Sequence, residues 1–305
     1  MDPLGKAWLW ASEKPRVERF VTEGRLTRSV VRRFVAGEEL GEAIGVIKDL
    51  NARGIGGILD VLGEGVEDPA GAARAAEEYM ASIKEVEATG IDTTVSLKLT
   101  QLGLAFDKGA CIDHLRTLAA EAQAMGTGLE VDMEQSEYVT DTVEVFRLLR
   151  TDFPDLRLAL QAYLRRTVAD LEGLVDIPPI VRLVKGAYAE PPEIAFQRRK
   201  ETDSQFGYLT DWLFVKGKEL AIATHDAKLI LHAQKVADST GAGKSGFEIQ
   251  MLYGVRRDLQ EQLAQRGYRV KIYVPFGSAW YPYLMRRIAE RPANLRFFLR
   301  ALVRK

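Results

Sequence analysis

Eight short runs rich in strand-forming residues are spread along the chain, and in several of them apolar and polar residues alternate with a period of two, the pattern of strands with one greasy and one polar face. The runs are 57–63 (GILDVLG), 93–100 (TTVSLKLT), 129–134 (LEVDME), 156–163 (LRLALQAY), 180–188 (IVRLVKGAY), 220–225 (LAIATH), 247–252 (FEIQML) and 270–276 (VKIYVPF). Their starts lie 23 to 40 residues apart, room for one helix and two loops in each gap. The gaps hold amphipathic stretches such as 70–89 (AGAARAAEEYMASIKEVEAT) and 136–150 (SEYVTDTVEVFRLLR), with apolar residues near helical spacing. Strand and helix in regular alternation predict βαβ units and a parallel sheet, and eight such units predict an α/β fold of the (β/α)8 TIM type.

Which residues share a face sharpens this. Ser96, Lys98 and Thr100 oppose Val95, Leu97 and Leu99; Glu130, Asp132 and Glu134 oppose Leu129, Val131 and Met133; Gln161 and Tyr163 oppose Leu158 and Leu160; Arg182 lies between Val181 and Leu183. Central strands of an open doubly wound sheet are buried on both sides and read as unbroken apolar runs. An antiparallel sheet with one face in solvent would alternate, but it does not explain the intervening helices. In a barrel the apolar face meets the helices and the polar face looks into the lumen, where so many buried charges point to a site.

Length and composition then narrow the partners. A chain of 305 residues admits two small domains or one large barrel, and the eight periods favour a barrel over 41–305 preceded by a helical arm over 1–40. Val30, Val31, Phe34 and Val35 cluster in that arm ahead of Gly37, as a capping segment or an oligomer contact. With 42 Lys and Arg against 43 Asp and Glu, nothing global draws the chain to nucleic acid. One cysteine, Cys111, and three histidines offer neither a disulfide nor a multi-histidine metal site, in keeping with a cytoplasmic protein. The Trp8-Leu9-Trp10 cluster is too short for a signal-peptide core and no run is long enough to span a membrane, so the mature chain is expected to be the whole chain. Seven Arg or Lys against Glu290 alone in 284–305, with a helix starting at Pro292, mark a basic stretch suited to peripheral contact with the cytoplasmic face of a membrane.

One motif fails in context. Gly241-Ala-Gly-Lys-Ser-Gly246 matches G-x-G-x-x-G, but it follows a helix and leads into a strand, the reverse of a dinucleotide fingerprint, and reads as a helix-stop turn. The signal that stands is positional. Barrel enzymes draw their catalytic groups from the C-terminal ends of several strands, and here those ends carry Lys98, Asp132, Gln161, Arg182 with Lys185 and Tyr188, Thr224 with His225, Gln250 and Tyr273. After the last strand, 281–290 (YPYLMRRIAE) read as a helix puts Tyr283, Arg286, Arg287 and Glu290 on one face, and paired guanidinium groups suit a carboxylate or a phosphate. Three readings stay open on the residues alone: an enzyme of this kind, a Schiff-base lyase or aldolase using Lys98 or Lys185, and an amino-acid-binding barrel without turnover.

The runs VSLKLTQLG (95–103), VDME (131–134), LQAYLRRT (160–167), RLVKGAY (182–188), ATHD (223–226), FEIQMLYG (247–254) and YVPFG with YPYLMRRIAERP (273–292) resemble, in this order, bacterial monofunctional proline dehydrogenase. The resemblance implies a distorted (β/α)8 barrel whose last helix lies over the mouth, and FAD-dependent oxidation of L-proline to Δ1-pyrroline-5-carboxylate by hydride transfer from C5 to flavin N5. Electrons would pass to a membrane quinone, and a separate pyrroline-5-carboxylate/glutamate semialdehyde dehydrogenase would act downstream. By the same resemblance Lys98, Arg286 and Arg287 bind the proline carboxylate, Tyr273 and Tyr283 shape the ring pocket, and Asp132 and Arg182 stand beside the reacting centre. Met133, Gln161, Val184, Lys185, Gly186, Ala187, Thr224, His225, Gln250 and Glu290 would line the FAD. Asp132 is expected to order Lys98 and tune protonation, and Gly186 to let the backbone approach the flavin ring closely.

Overall fold

The computed structural model describes Lys14, residues 28–63 and residues 66–289, with the side chains of 28–30 and 286–289 outside the description. The Trp8-Leu9-Trp10 cluster, most of the 1–40 arm, Glu290, the helix from Pro292 and the side chains of Arg286 and Arg287 therefore lie outside the described residues.

Eight parallel strands close on themselves in sequence order: β1 (Gly56–Val61), β2 (Thr93–Leu97), β3 (Gly128–Val131), β4 (Arg157–Gln161), β5 (Ile180–Val184), β6 (Glu219–Ala223), β7 (Glu248–Leu252) and β8 (Arg269–Phe276). The helices between them are α3 (Pro69–Thr89), α4 (Lys108–Ala124), α5 (Ser136–Arg150), α6 (Thr167–Glu172), α7 (Arg199–Lys216), α8 (Ala227–Ser239) and α9 (Arg257–Gln265). Two helices, α1 (Arg28–Phe34) and α2 (Leu40–Asn51), precede β1, and α10 (Trp280–Ala289) follows β8. The period-two pattern does what barrel geometry requires. Leu59, Val95, Leu97, Leu129, Val131, Leu158, Leu160, Val181, Leu183, Ile222, Ile249 and Ile272 turn outward and join the helices in one continuous core. The register pairs Asp60 with Ser96, Ser96 with Glu130, and Ala159 with Arg182, so the polar partners share the lumen.

The observed strands stop short of several sequence boundaries. The ladder ends at Leu97, Val131, Gln161, Val184 and Ala223, where the alternation continues to Thr100, Glu134, Tyr163, Tyr188 and His225. Single bonds persist past these points, such as Asp132 N–H to the Leu97 carbonyl (2.8 Å) and Tyr163 N–H to the Lys185 carbonyl (2.9 Å). Lys98, Asp132, Lys185, Thr224 and His225 thus occupy a fraying rim just past the ladder, while Gln161, Arg182, Gln250 and Tyr273 stay within the paired strands. Gly241-Ala-Gly-Lys-Ser-Gly246 is a turn ending α8: Gly241 and Gly243 adopt φ of 75° and 66°, and Gly243 N–H bonds back to the Ala237 carbonyl at 3.1 Å.

The barrel is distorted at its closure. The outer slot between β8 and β1 is filled by α2, whose Ala43, Ile44, Ile47 and Leu50 are buried against the barrel wall. With that slot taken, α10 is displaced toward the C-terminal mouth. There Trp280, Tyr283, Leu284 and Met285 pack with Phe34, Val35, Leu62 and Val255, residues at or just past the ends of α1, β1 and β7. The chain between α1 and α2 bonds along the end of β8, Ala36 N–H to the Pro275 carbonyl (2.9 Å) and Gly277 N–H to the Gly37 carbonyl (3.0 Å). Trp280 Nε1 donates to Glu38 at 3.0 Å. Gly254, at φ 76°, lies so close beneath α1 that a Cβ there would overlap the Arg33 carbonyl oxygen. Residues 31–38 are therefore built into the mouth of the barrel.

Phe34, 1% exposed, is central to this second cluster. Truncation to Ala is expected to weaken the cluster by about 3–5 kcal/mol. Hydrogen exchange should quicken in α1 and α10 while the barrel strands keep their protection; uniform loss of protection over both would show that the cap and barrel open as one unit.

Candidate active site

The lumen side chains form a continuous ionic network rising to the rim. Lys98, just past β2, donates from Nζ to Asp60 Oδ1 (2.6 Å) and to Asp132 Oδ2 (3.3 Å). Asp132, just past β3, gathers the others: its Oδ1 accepts from Ser96 Oγ (2.8 Å) and from Arg182 Nη1, and its Oδ2 accepts from the Tyr273 hydroxyl (2.6 Å). Arg182 on β5 also donates from Nε to Gln250 Oε1 (2.6 Å), from Nη1 to Ser96 (3.2 Å) and from Nη2 to Glu130, and its guanidinium lies 5.1 Å from the Tyr273 ring centroid. Gln250 is fixed in turn by Glu248 Oε1, which accepts from its Nε2 at 2.7 Å.

Burial and pairing oppose each other here. Desolvation works against the charge on Asp132, but Arg182 and Lys98, with hydrogen bonds from Tyr273 and Ser96, outweigh it and hold its pKa below the ordinary 3.8. Desolvation likewise disfavours charged Lys98, yet Asp60, Tyr273 and Asp132 raise its pKa well above 10.5. Glu130 is raised from 4.5 by burial, with Arg182 pulling the other way. A lysine so firmly protonated is a cation for binding rather than a nucleophile, which speaks against Lys98 as a Schiff-base residue. Lys185 is shared by two carboxylates, Asp203 and Asp226 (3.4 Å), and Arg199 also reaches Asp226 at 2.6 Å.

The candidate residues divide by place. Lys98, Asp132, Arg182, Gln250 and Tyr273 are in one network. Gln161 stands beside it, donating to the Glu134 carbonyl at 2.8 Å. Val184 ends β5, and Lys185, Gly186 and Ala187 lie on the loop rising from it. Thr224 Oγ1 accepts from Asp226 N–H (3.1 Å), and His225 Nε2 accepts from Leu252 N–H (2.9 Å). Met133, two residues past β3, is buried in the main hydrophobic cluster, and Tyr283 in the mouth cluster. At Gly186, φ is 112° and a Cβ would overlap the Tyr163 ring, so packing against the neighbouring strand end by itself requires glycine.

Asp60, Glu130 and Glu248 are partners that the rim pattern did not single out. Asp60 is the lone acid in GILDVLG, a weak signal for the Lys98 partner across the register. Tyr79 and Gln101 had no signal. Tyr79, buried on α3, accepts from Lys98 N–H (3.2 Å) and donates to Gln101, which ties down the Gly63 carbonyl at 2.7 Å.

A closed parallel barrel whose buried charges converge at the C-terminal rim defines an enzyme of the (β/α)8 class acting on a small polar molecule. Residues 43–300 match the profile of a family described as proline dehydrogenase. The chain is 36% identical over 302 residues to proline dehydrogenase 1 of Bacillus subtilis subsp. natto, covering 99% of this chain and 100% of that one. It is 37% identical over 304 residues to the proline dehydrogenase of Deinococcus radiodurans, covering 98% and 97%. In fold it matches proline utilization A (PutA) from Bdellovibrio bacteriovorus with a TM-score of 0.83 at 24% identity, over 94% of this chain and 36% of that longer one. The chain belongs to the proline dehydrogenase family, which is flavin-dependent, and is an enzyme that oxidises proline to pyrroline-5-carboxylate.

The donor set fits a flavin. Arg182 donates from Nε to Gln250, from Nη1 to Ser96 and Asp132, and from Nη2 to Glu130, which leaves the second Nη2 hydrogen without a protein acceptor among the described residues. A buried cationic donor with one hydrogen unspent suits a ring that gains negative charge on reduction.

Because the Asp132 pKa is lowered in the folded state, its contribution to stability is present above 3.8 and is lost as pH falls through the folded value. Glu130, raised above 4.5, contributes the opposite slope. Urea unfolding of Asp132→Asn should show a loss of about 3–5 kcal/mol at neutral pH, since Arg182 and Lys98 lose their shared anion. The variant should also lose less stability than the parent between pH 5 and pH 3, and equal losses would mean that Asp132 is not the group titrating.

Proposed function

We propose that the chain uses FAD to oxidise L-proline and delivers the electrons to a membrane quinone, with Asp132 as the organiser of the site. The observation that carries this reading is the single carboxylate of Asp132 joining Lys98, Arg182, Tyr273 and Ser96 at the mouth of the barrel. In the reaction, proline with its ring nitrogen neutral loses a hydride from C5 and a proton from nitrogen, forming the C5=N double bond. Bound FAD supplies the two-electron acceptor.

The residues divide the remaining work. Lys98, with Arg286 and Arg287 from α10, binds the substrate carboxylate, and Asp60 and Asp132 offset part of that positive charge so that the amine can enter neutral. Tyr273, held through its hydroxyl by Asp132, forms one wall of the ring pocket, and Tyr283 on α10 forms its cover. Arg182 directs its remaining N–H toward the flavin. Met133, Gln161, Val184, Lys185, Gly186, Ala187, Thr224, His225, Gln250 and Glu290 line the cofactor. The Asp203–Lys185–Asp226–Arg199 cluster gives polar groups that can exchange partners with a dinucleotide. A separate dehydrogenase would consume the product. The protein would work in the cytoplasm, with the basic 284–305 stretch touching an anionic membrane surface transiently. No helix among the described residues is long and apolar enough to cross a membrane.

Purified protein, reconstituted with FAD, should be yellow and should bleach on anaerobic addition of L-proline. Asp132→Ala should slow that bleaching by about 10- to 100-fold, because Lys98 and Tyr273 lose their common anchor. Failure to bleach, or colourless protein trapped by borohydride with a keto substrate, would overturn the redox reading in favour of a lysine-based lyase.

A further inference from the structure

Glu130 lies one lumen position below Asp132 on β3 and is 1% exposed. Its Oε2 accepts from Arg182 Nη2, whereas Oε1 makes no hydrogen bond with the protein. Arg182 is its one ion-pair partner among the described residues. A half-satisfied buried carboxylate is costly. Neither carboxylate binding nor the Asp132 hub requires it, since Arg182 already has Asp132.

What Glu130 changes is the geometry and charge of Arg182. The guanidinium is planar, and three of its edges are engaged: Nε by Gln250, Nη1 by Ser96 and Asp132, and Nη2 by Glu130. Because the two Nη2 hydrogens lie in that plane, capturing one fixes the direction of the other. Two carboxylates on one guanidinium also leave the trio with a formal charge of minus one.

We propose that Glu130 is a positioning residue for Arg182: from the floor of the lumen it aims the last Nη2 hydrogen at the flavin, and its negative charge restrains the cationic field that Arg182 exerts there. The inference rests on the FAD reading above.

Glu130→Gln keeps the shape of the partner and removes its charge; Glu130→Asp keeps the charge and shortens the reach. In the FAD-loaded protein without proline, Glu130→Gln should shift the flavin midpoint potential to more positive values, since an unrestrained Arg182 favours the reduced anion. That shift should vanish in an Arg182→Met background. Glu130→Asp should leave the potential near that of the parent but slow anaerobic bleaching by proline on the order of 10- to 100-fold, with KM nearly unchanged. If Glu130→Gln does not fold, Glu130→Asp carries the test by itself. A parent that bleaches normally, with variants that match it in both potential and rate and differ only in melting temperature, would overturn the positioning role and leave the FAD reading intact. A reconstituted parent that does not bleach would sink the FAD reading, and the positioning role would fall with it.

Discussion

The Asp132 carboxylate, held between Lys98 and Arg182, is the interaction around which the barrel is organised. Each of these charges is expensive to bury alone, and each is affordable only while the others stay in place. The same condition runs down the lumen, where Asp60 faces Lys98, Glu130 faces Arg182 and Arg157, and Glu248 faces Lys271. Neutrality is reached across strands rather than within any one of them. The acids lie mainly on β1, β3 and β7 and the bases on β4, β5 and β8, so only a closed sheet in the correct register brings each charge to its partner. A one-residue slip in any strand would send a charge into the apolar shell.

Closure by α2 is the second constraint, and it follows from the first. A barrel with a charged interior depends on its outer face for hydrophobic stabilisation, so the seam between β8 and β1 must be covered. Covering it with α2, which enters from the N-terminal side of β1, leaves α10 without a place on the wall. Its apolar face, Leu284 and Met285 with Trp280, is buried against Phe34 and Val35 instead. The helix that bears the sequence-paired arginines thus stands at the mouth because another helix has taken its ordinary slot.

Legibility in the sequence followed the same physics. The eight strands were readable because their outward faces must be apolar and their inward faces polar, and this alternation survives in a single sequence. Strand ends were overrun because alternation continues past the ladder: Lys98 and Asp132 keep the facing of a strand after regular pairing has stopped. Asp60 was hidden because its neighbours Ile58, Leu59, Val61 and Leu62 make its strand read as fully buried. Tyr79 could not be found at all, since a tyrosine on the buried face of α3 reads as core, and its bond to the Lys98 amide exists only after α3 has docked. Gly186 is legible as special from its residue type alone, but its contact with the Tyr163 ring, just past the end of β4, is a tertiary feature that no local pattern carries.

The resting arrangement of Lys98 also bears on how a substrate carboxylate would be held. Lys98 already has two aspartates within ion-pair distance, so an incoming carboxylate meets a cation whose charge is largely spent. Such a lysine supplies a directional hydrogen bond more than net attraction, and the attraction must come from elsewhere. In the proposed site that source is the arginine pair on α10, whose position depends on the packing of Phe34 and Val35 beneath it and on Glu38 at the start of the helix. Binding strength and lumen chemistry are thereby placed on separate parts of the fold: the aspartate network sets the polarity of the floor, and the displaced helix brings the charge to the lid. A change in the segment 31–38 would then alter substrate affinity while leaving the buried network unchanged.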